Sequence, residues 1–207
     1  MNPQLPMVYI VDDDDAVREA LGALLGSVSL RYKSFATAEE FLAVADPHMQ
    51  GCLLLDVRMP GMSGLELQRK LQDHDIALQV VIITGHGDVP MAVRALKAGA
   101  ADFIEKPFNE QELLDRIQHC LKDNQNIWHS RQTRDEATAR FGQLTPRETA
   151  VMELIAAGGY TKRIAAQLEI TDRTVDVHRF NIMRKVGVNT LAELLQLWSI
   201  VHQPPRP

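Results

Sequence analysis

Five short apolar runs, each followed by a stretch with helical spacing, divide the first 125 residues. The runs are VYIV at 8–11, YKSF at 32–35, CLLL at 52–55, VVIIT at 80–84 and DFI at 102–104. The amphipathic stretches lie near 16–28, 38–45, 64–73, 88–98 and 110–122. A continuous apolar run marks a strand covered on both faces, and a helix between two such strands lets them run parallel. The pattern predicts an α/β domain, a doubly wound five-stranded parallel sheet with helices on both faces. The run at 32–35 carries the weakest signal. Ligands of such sheets bind outside the carboxyl ends of the strands, so the chemistry is to be sought there.

Those ends are polar. VYIVDD places Asp12 and Asp13 after the first strand, and LLLDVRMPGMSG places Asp56 after the third. VIITGHG puts Thr84 at the end of the fourth, and DFIEKPF puts Lys106 just past the fifth. Any one of these is an ordinary loop residue; five on the correct strands point to a site. Clustered carboxylates repel one another and need a cation. Oxygen-only ligation suits Mg²⁺, and no Cys/His cluster competes for a softer metal. Asp14 and Asp15 have a different reading: they sit where a helix begins and can cap its free N–H groups.

The remaining composition bounds the architecture. At 207 residues the chain holds one or two domains. Residues 1–125 contain 11 Lys/Arg and 19 Asp/Glu, net −8, whereas 126–207 contain 11 and 8, net +3. An acidic half joined to a mildly basic one suggests two tasks, with nucleic acid a candidate partner for the second. A polar, proline-free stretch follows the fifth repeat, dividing the chain into 1–123, a helical linker at 124–143, and 144–207. The third segment opens on LTPRE, where Thr145 and Glu148 form a capping box around Pro146. Four helices follow, near 146–157, 161–168, 172–186 and 190–201. No apolar run approaches the roughly 18 residues of a membrane span, and MNPQLPM has no export-signal pattern, so a cytoplasmic protein is expected. Cys52 and Cys120 show no metal-ligand spacing and read as reduced thiols.

The helices at 161–168 and 172–186 are joined by Leu168–Glu169–Ile170–Thr171, a link short enough for a helix-turn-helix. On the second helix Val175, Ile182 and Val186 share one face, and Arg173, Val177, Phe180, Asn181 and Arg184 lie roughly opposite. Residues 161–185 carry six Lys/Arg against three Asp/Glu. Exposed Val and Phe among arginines suit a helix entering a major groove, where apolar groups meet thymine methyls. A solvated amphipathic helix with one stray Phe is the competing reading.

Across residues 6–123, VDDDD, LLLDVRMPGMSGLEL and IITGHGDVPMAVRALKAGAADFIEKPF resemble the receiver domain of two-component response regulators. Across 144–198, LTPRETAVMELIAAGGYTKRIAAQLEITDRTVDVHRFNIMRKVGVNTLAELL resembles the LuxR-type helix-turn-helix of the NarL/FixJ family, and the whole is similar to its FixJ subfamily. The resemblance implies that Asp56 accepts a phosphoryl group, that Asp13, Asp56 and the backbone carbonyl of Arg58 bind Mg²⁺ directly, and that Asp12 acts mainly through water. It implies that Thr84 bonds the phosphoryl oxygen, that Lys106 pairs with carboxylate or phosphoryl, and that the Lys106–Pro107 bond is cis. Phe103 takes the place of an aromatic switch residue that is tyrosine in many relatives.

The resemblance also implies that, in the output half, Val177 and Phe180 fall at base-reading positions, and Lys162, Arg173, Thr174 and Arg179 at phosphate or register positions. Asp176, where some relatives place lysine, could accept from a cytosine amino group. Thr161 stands where the family usually shows asparagine and remains able to cap its helix. The implied partners are a cognate sensor histidine kinase, double-stranded promoter DNA and RNA polymerase, with a homodimer on phosphorylation and no membrane. Similarity to a regulator of styrene catabolism makes aromatic catabolic genes the candidate targets. Aspartyl phosphatases use a similar strand-end Asp but need a second carboxylate two residues on, and position 58 is Arg; an enzyme is therefore not expected beyond slow self-phosphorylation and self-dephosphorylation. RNA binding is disfavoured by few aromatics and no RNA-module pattern. A docking module that is never phosphorylated is disfavoured because no acidic or lysine position is lost.

Overall fold

In the computed structural model of the protein, residues 7–85 and 89–202 are described. The chain forms two compact units, Met1–His129 and Ser130–Pro207. The first holds β1 (Met7–Val11), α1 (Asp15–Ser27), β2 (Tyr32–Phe35), α2 (Ala38–Leu42), β3 (Gly51–Leu55), α3 (Gly64–Asp73), β4 (Gln79–Thr84), α4 (Val89–Lys97) and β5 (Asp102–Glu105). Helix α5 runs from Glu110 to Phe141. The second unit continues with α6 (Pro146–Ala156), α7 (Thr161–Leu168), α8 (Asp172–Val186) and α9 (Leu191–His202).

All five strands are parallel, in the order β2-β1-β3-β4-β5. The chain turns back between β1 and β3, which places the topological switch point there. Strand alternation divides the core into two layers. Val8, Ile10, Cys52, Leu54 and Ile83 face one side with Leu21 and Leu25 of α1 and Leu113 and Ile117 of α5. Tyr9, Val11, Leu53, Leu55 and Ile82 face the other with Phe41, Leu67 and Leu71. β2 is an edge strand with only Phe35 buried, which explains its weak sequence signal.

The helix ends are set locally. Asp14 is the N-cap of α1, its carboxylate accepting from Ala16 N at 2.9 Å. Asp15 in the first turn pairs with Arg18. The division of DDDD into two pairs therefore holds at the helix end. Ser63 and Glu66 cap α3 reciprocally, and Thr145 and Glu148 do so for α6.

Helix α5 is longer than the sequence alone suggests. Leu113, Ile117, Cys120, Leu121 and Asn124 form a buried stripe at helical spacing, and the helix continues without a stop to residue 141. Asn124 and Trp128, read from sequence as linker, pack within the first unit. The Asn124 amide donates to Ala77 O at 2.5 Å and accepts from Gly51 N at 2.8 Å, while Trp128 Nε1 donates to Met49 O at 3.1 Å.

In the second unit Val151, Met152, Ile155, Ile164, Val175, Ile182, Val186 and Leu194 form the core, and Phe141 meets Trp198 edge-to-face at 5.0 Å. Glu169 makes the α7–α8 turn in the left-handed region at φ 54°, a conformation costing a non-glycine residue about 1–2 kcal/mol.

Candidate functional site

The register Val11↔Leu55 brings the residues after β1 and β3 side by side. Asp56 N donates to Val11 O at 2.9 Å, so the two chains stay paired up to the acidic residues. Asp12 and Asp56 are both buried there. Two buried carboxylates need compensation, and Lys106 supplies it. Its backbone N–H holds Thr84 O at 2.9 Å, and its ammonium donates to Asp12 Oδ2 at 2.6 Å and to Asp56 Oδ1 at 3.2 Å. The remaining oxygens are also engaged. Asp12 Oδ1 accepts from Asp14 N at 3.0 Å, and Asp56 Oδ2 accepts from Arg58 N at 2.6 Å.

The electrostatics follow from this packing. Burial raises the Asp56 carboxyl above its ordinary range; Lys106 and the Arg58 N–H oppose the rise, and the Asp12 charge adds to it. Burial alone would lower the Lys106 ammonium, but hydrogen bonding and charge from Asp12, then Asp56, hold it above its ordinary value. Lys106 is thus a fixed cation between two carboxylates, one of them a poorly stabilised anion. That carboxylate has its counter-ion already in place.

Asp12, Asp56, Thr84 and Lys106 are therefore brought together. Thr84 is buried, and Lys106–Pro107 is cis. Asp13 is exposed beside them. Among the described residues no three His, Cys, Asp or Glu groups lie together at metal-ligand spacing. Lys106 bridges Asp12 and Asp56, and Asp13 lies exposed next to Asp12 in the chain. The donor chemistry still fits a hard divalent cation: every acidic group is an oxygen ligand, and each carboxylate oxygen has a second lone pair. Phe103 packs half-buried against the second apolar layer. His86 to Asp88 of the IITGHGD motif lie outside the described residues.

The second candidate surface is α8. Val175, Ile182 and Val186 are buried, while Val177 is 52% and Phe180 65% exposed. Arg173, Asp176 and Arg184 share that exposed surface, as does Lys162 on α7; Asn181 is half-buried. Thr174 belongs to the N-terminal turn, its N–H held by Thr171 Oγ1 at 3.2 Å. One expectation needs correction. Thr161 does not cap α7: Tyr160 is the N-cap residue and makes no side-chain cap, because the Thr161 hydroxyl is one residue inside the helix and accepts from Arg179 Nη1 at 3.2 Å. Arg179 is accordingly half-buried and cross-links the two helices.

Sequence reasoning missed several supports. Arg18 donates to Asp12 O at 2.6 Å; its only local signal was spacing from Asp15. Gly64 lets α3 start hard against the site, since a Cβ there would lie 2.1 Å from Asp56 O. Lys185 donates to Glu148 at 2.6 Å, a pairing across 37 residues with no local signature.

Residues 8–118 match the response regulator receiver domain family, and 142–198 match bacterial regulatory proteins of the luxR family. The chain belongs to the response regulators with a LuxR-type DNA-binding domain. The regulator is 44% identical over 197 residues to the response regulator protein TmoT of Ectopseudomonas mendocina, covering 95% of this chain and 90% of that one. It is 41% identical over 203 residues to the transcriptional regulatory protein FixJ of Azorhizobium caulinodans, covering 98% and 96%. The solved structure of the response regulator StyR superposes with a TM-score of 0.83 at 47% identity, over 94% of this chain and 98% of that one. A receiver implies a sensor kinase partner, and a luxR-family domain implies DNA. Among the described residues of the regulator no helix is long and apolar enough to cross a membrane.

Proposed function

We propose that Asp56 accepts a phosphoryl group from a sensor histidine kinase and that this controls binding of α8 to double-stranded promoter DNA. The observation that carries the reading is the buried Asp12–Asp56 pair, bridged by the half-buried Lys106, at the switch point of the sheet. A carboxylate oxygen of Asp56 attacks phosphorus, and the kinase's imidazole leaves. Lys106, already between the carboxylates, follows the negative charge onto the phosphoryl oxygens without reorganising. Mg²⁺ would be held by Asp13, Asp56 and the Arg58 carbonyl, with Asp12 acting mainly through water, and would supply further neutralisation of the phosphoryl charge. Thr84, at the end of β4, turns its hydroxyl to the new acceptors, and Phe103 on β5 moves inward as a packing switch. Homodimer formation, recruitment of RNA polymerase and a cytoplasmic location belong to the same reading. So do the division into 1–123, 124–143 and 144–207 and the control of aromatic catabolic genes, the last supported by sequence resemblance. Val177, Phe180, Asn181 and Asp176 read bases, and Lys162, Arg173, Thr174, Arg179 and Arg184 set register and phosphate contacts.

Labelling by acetyl phosphate tests the acceptor. Wild type takes up phosphoryl in the presence of Mg²⁺ and Asp56→Asn takes up none; equal labelling of the two would overturn the assignment. Turnover stays slow, since residue 58 offers a guanidinium rather than a second carboxylate to the departing phosphoryl group.

A further inference from the structure

The chain contains two cysteines, and the acidic site uses neither. Cys52 is the second residue of β3 and Cys120 lies on α5; both are buried in the layer that also holds Val8, Leu54, Ile117 and Leu121. Their register is fixed by a contact beside them. Gly51 N–H donates to Asn124 Oδ1 at 2.8 Å. Asn124 is one helical turn beyond Cys120 on the same face, and Cys52 is the next residue after Gly51. Locking Gly51 to Asn124 therefore sets Cys120 beside Cys52, within one buried apolar cluster.

We propose that Cys52 and Cys120 are a dithiol modification site, which a peroxide-class oxidant converts into an internal disulfide tying α5 to β3, the strand that leads into Asp56. The pair is polarised for it. The neighbouring Cys120 thiol, with burial, holds the Cys52 thiol well above its usual range. The same pairing favours a thiolate on Cys120, against the opposing effect of burial. Cys120 is also the less enclosed of the two, 5% exposed against 0% for Cys52, and is the attacking sulfur, with Cys52 the resolving one. The Cys120 thiolate attacks hydrogen peroxide: an S–O bond forms, the O–O bond breaks, and the departing hydroxide takes a proton to become water. The Cys52 sulfur then attacks the sulfenic sulfur: the S–S bond forms, the S–O bond breaks, and the Cys52 proton leaves with the hydroxide as a second water. The two thiols lose two electrons, and the peroxide is reduced by two.

The experiment uses the reduced full-length protein. Folded protein is treated with hydrogen peroxide, quenched, denatured, labelled with a maleimide and weighed intact. The expected wild-type product has lost two hydrogens and takes up no maleimide, and dithiothreitol restores both labelling sites. In Cys52→Ala, Cys120 should stop at the sulfenic acid and be captured by dimedone. In Cys120→Ala, Cys52 should remain a thiol and take up maleimide. The proposal is overturned if oxidised wild type still takes up two maleimides, if the disulfide links two chains, or if Cys52 oxidises as fast in Cys120→Ala as Cys120 does in Cys52→Ala. The wild-type mass decides the main point even where a variant folds poorly.

Discussion

Replacing Lys185 by methionine removes the ammonium that holds Glu148 ionised inside the second unit. Glu148 is 4% exposed and receives Lys185 Nζ at 2.6 Å, Thr145 N at 2.8 Å and Thr145 Oγ1 at 3.0 Å. Burial alone would raise its carboxyl; Lys185 and the Thr145 donors overcome that and lower it from 4.5 to about 2. A depressed carboxyl contributes stability above its unfolded value, and that contribution is lost as the pH falls towards the folded one. The gap corresponds to about 3 kcal/mol at neutral pH, of which roughly half is gone near pH 3. Lys185 is the largest of the lowering influences, so Lys185→Met should cost about 2 kcal/mol, a roughly thirtyfold fall in amide protection across α6 and α8. Hydrogen exchange followed by mass spectrometry on peptides from these helices measures it in the full chain. The difference from wild type should shrink as the pH is lowered from about 7 to about 3. Unchanged protection at neutral pH, or a deficit that stays constant with pH, refutes the reasoning.

Other outcomes follow from the two sites. Asp13→Ala should abolish Mg²⁺ binding measured by calorimetry, whereas Asp14→Ala should leave it intact and cost about 1 kcal/mol of thermal stability through the lost α1 cap. Gly64→Ala forces α3 away from Asp56, and acetyl phosphate labelling should slow by at least roughly tenfold while the fold persists by circular dichroism. Lys162→Ala should weaken binding to all DNA sequences alike and reduce the salt slope by about 1, whereas Val177→Ala or Phe180→Ala should relax preference at particular base pairs by about 1–3 kcal/mol. Equal effects on specific and random duplexes from all three would sink that sorting.

What could be read from sequence was what is local or periodic. The central strands announce themselves because parallel strands are covered on both faces, and β2 barely does because an edge strand is not. The capping box at Thr145 spans four residues and needs no fold to be recognised. Asp12, Asp56, Thr84 and Lys106 could be placed on one edge from strand order alone, but the direct Lys106–Asp12 pairing spans 94 residues and depends on side-chain reach. The end of α5 was hidden because its later part is polar: neither a stop signal nor an apolar stripe marks the boundary, and Asn124 buries an amide where a hydrophobe would have been noticed. The α7–α8 turn hides its left-handed residue because Glu169 stands where glycine is the usual choice.

In the proposed complex with DNA, Phe180 and Val177 would bear on more than base preference. Most of a regulator's hold on DNA comes from displaced counter-ions and fades as salt rises. Covering two largely exposed apolar side chains adds a component of a different kind, indifferent to ionic strength and marked by a negative heat-capacity change. Phosphate contacts can be screened; this part of the recognition persists at high salt, and it weakens on cooling instead.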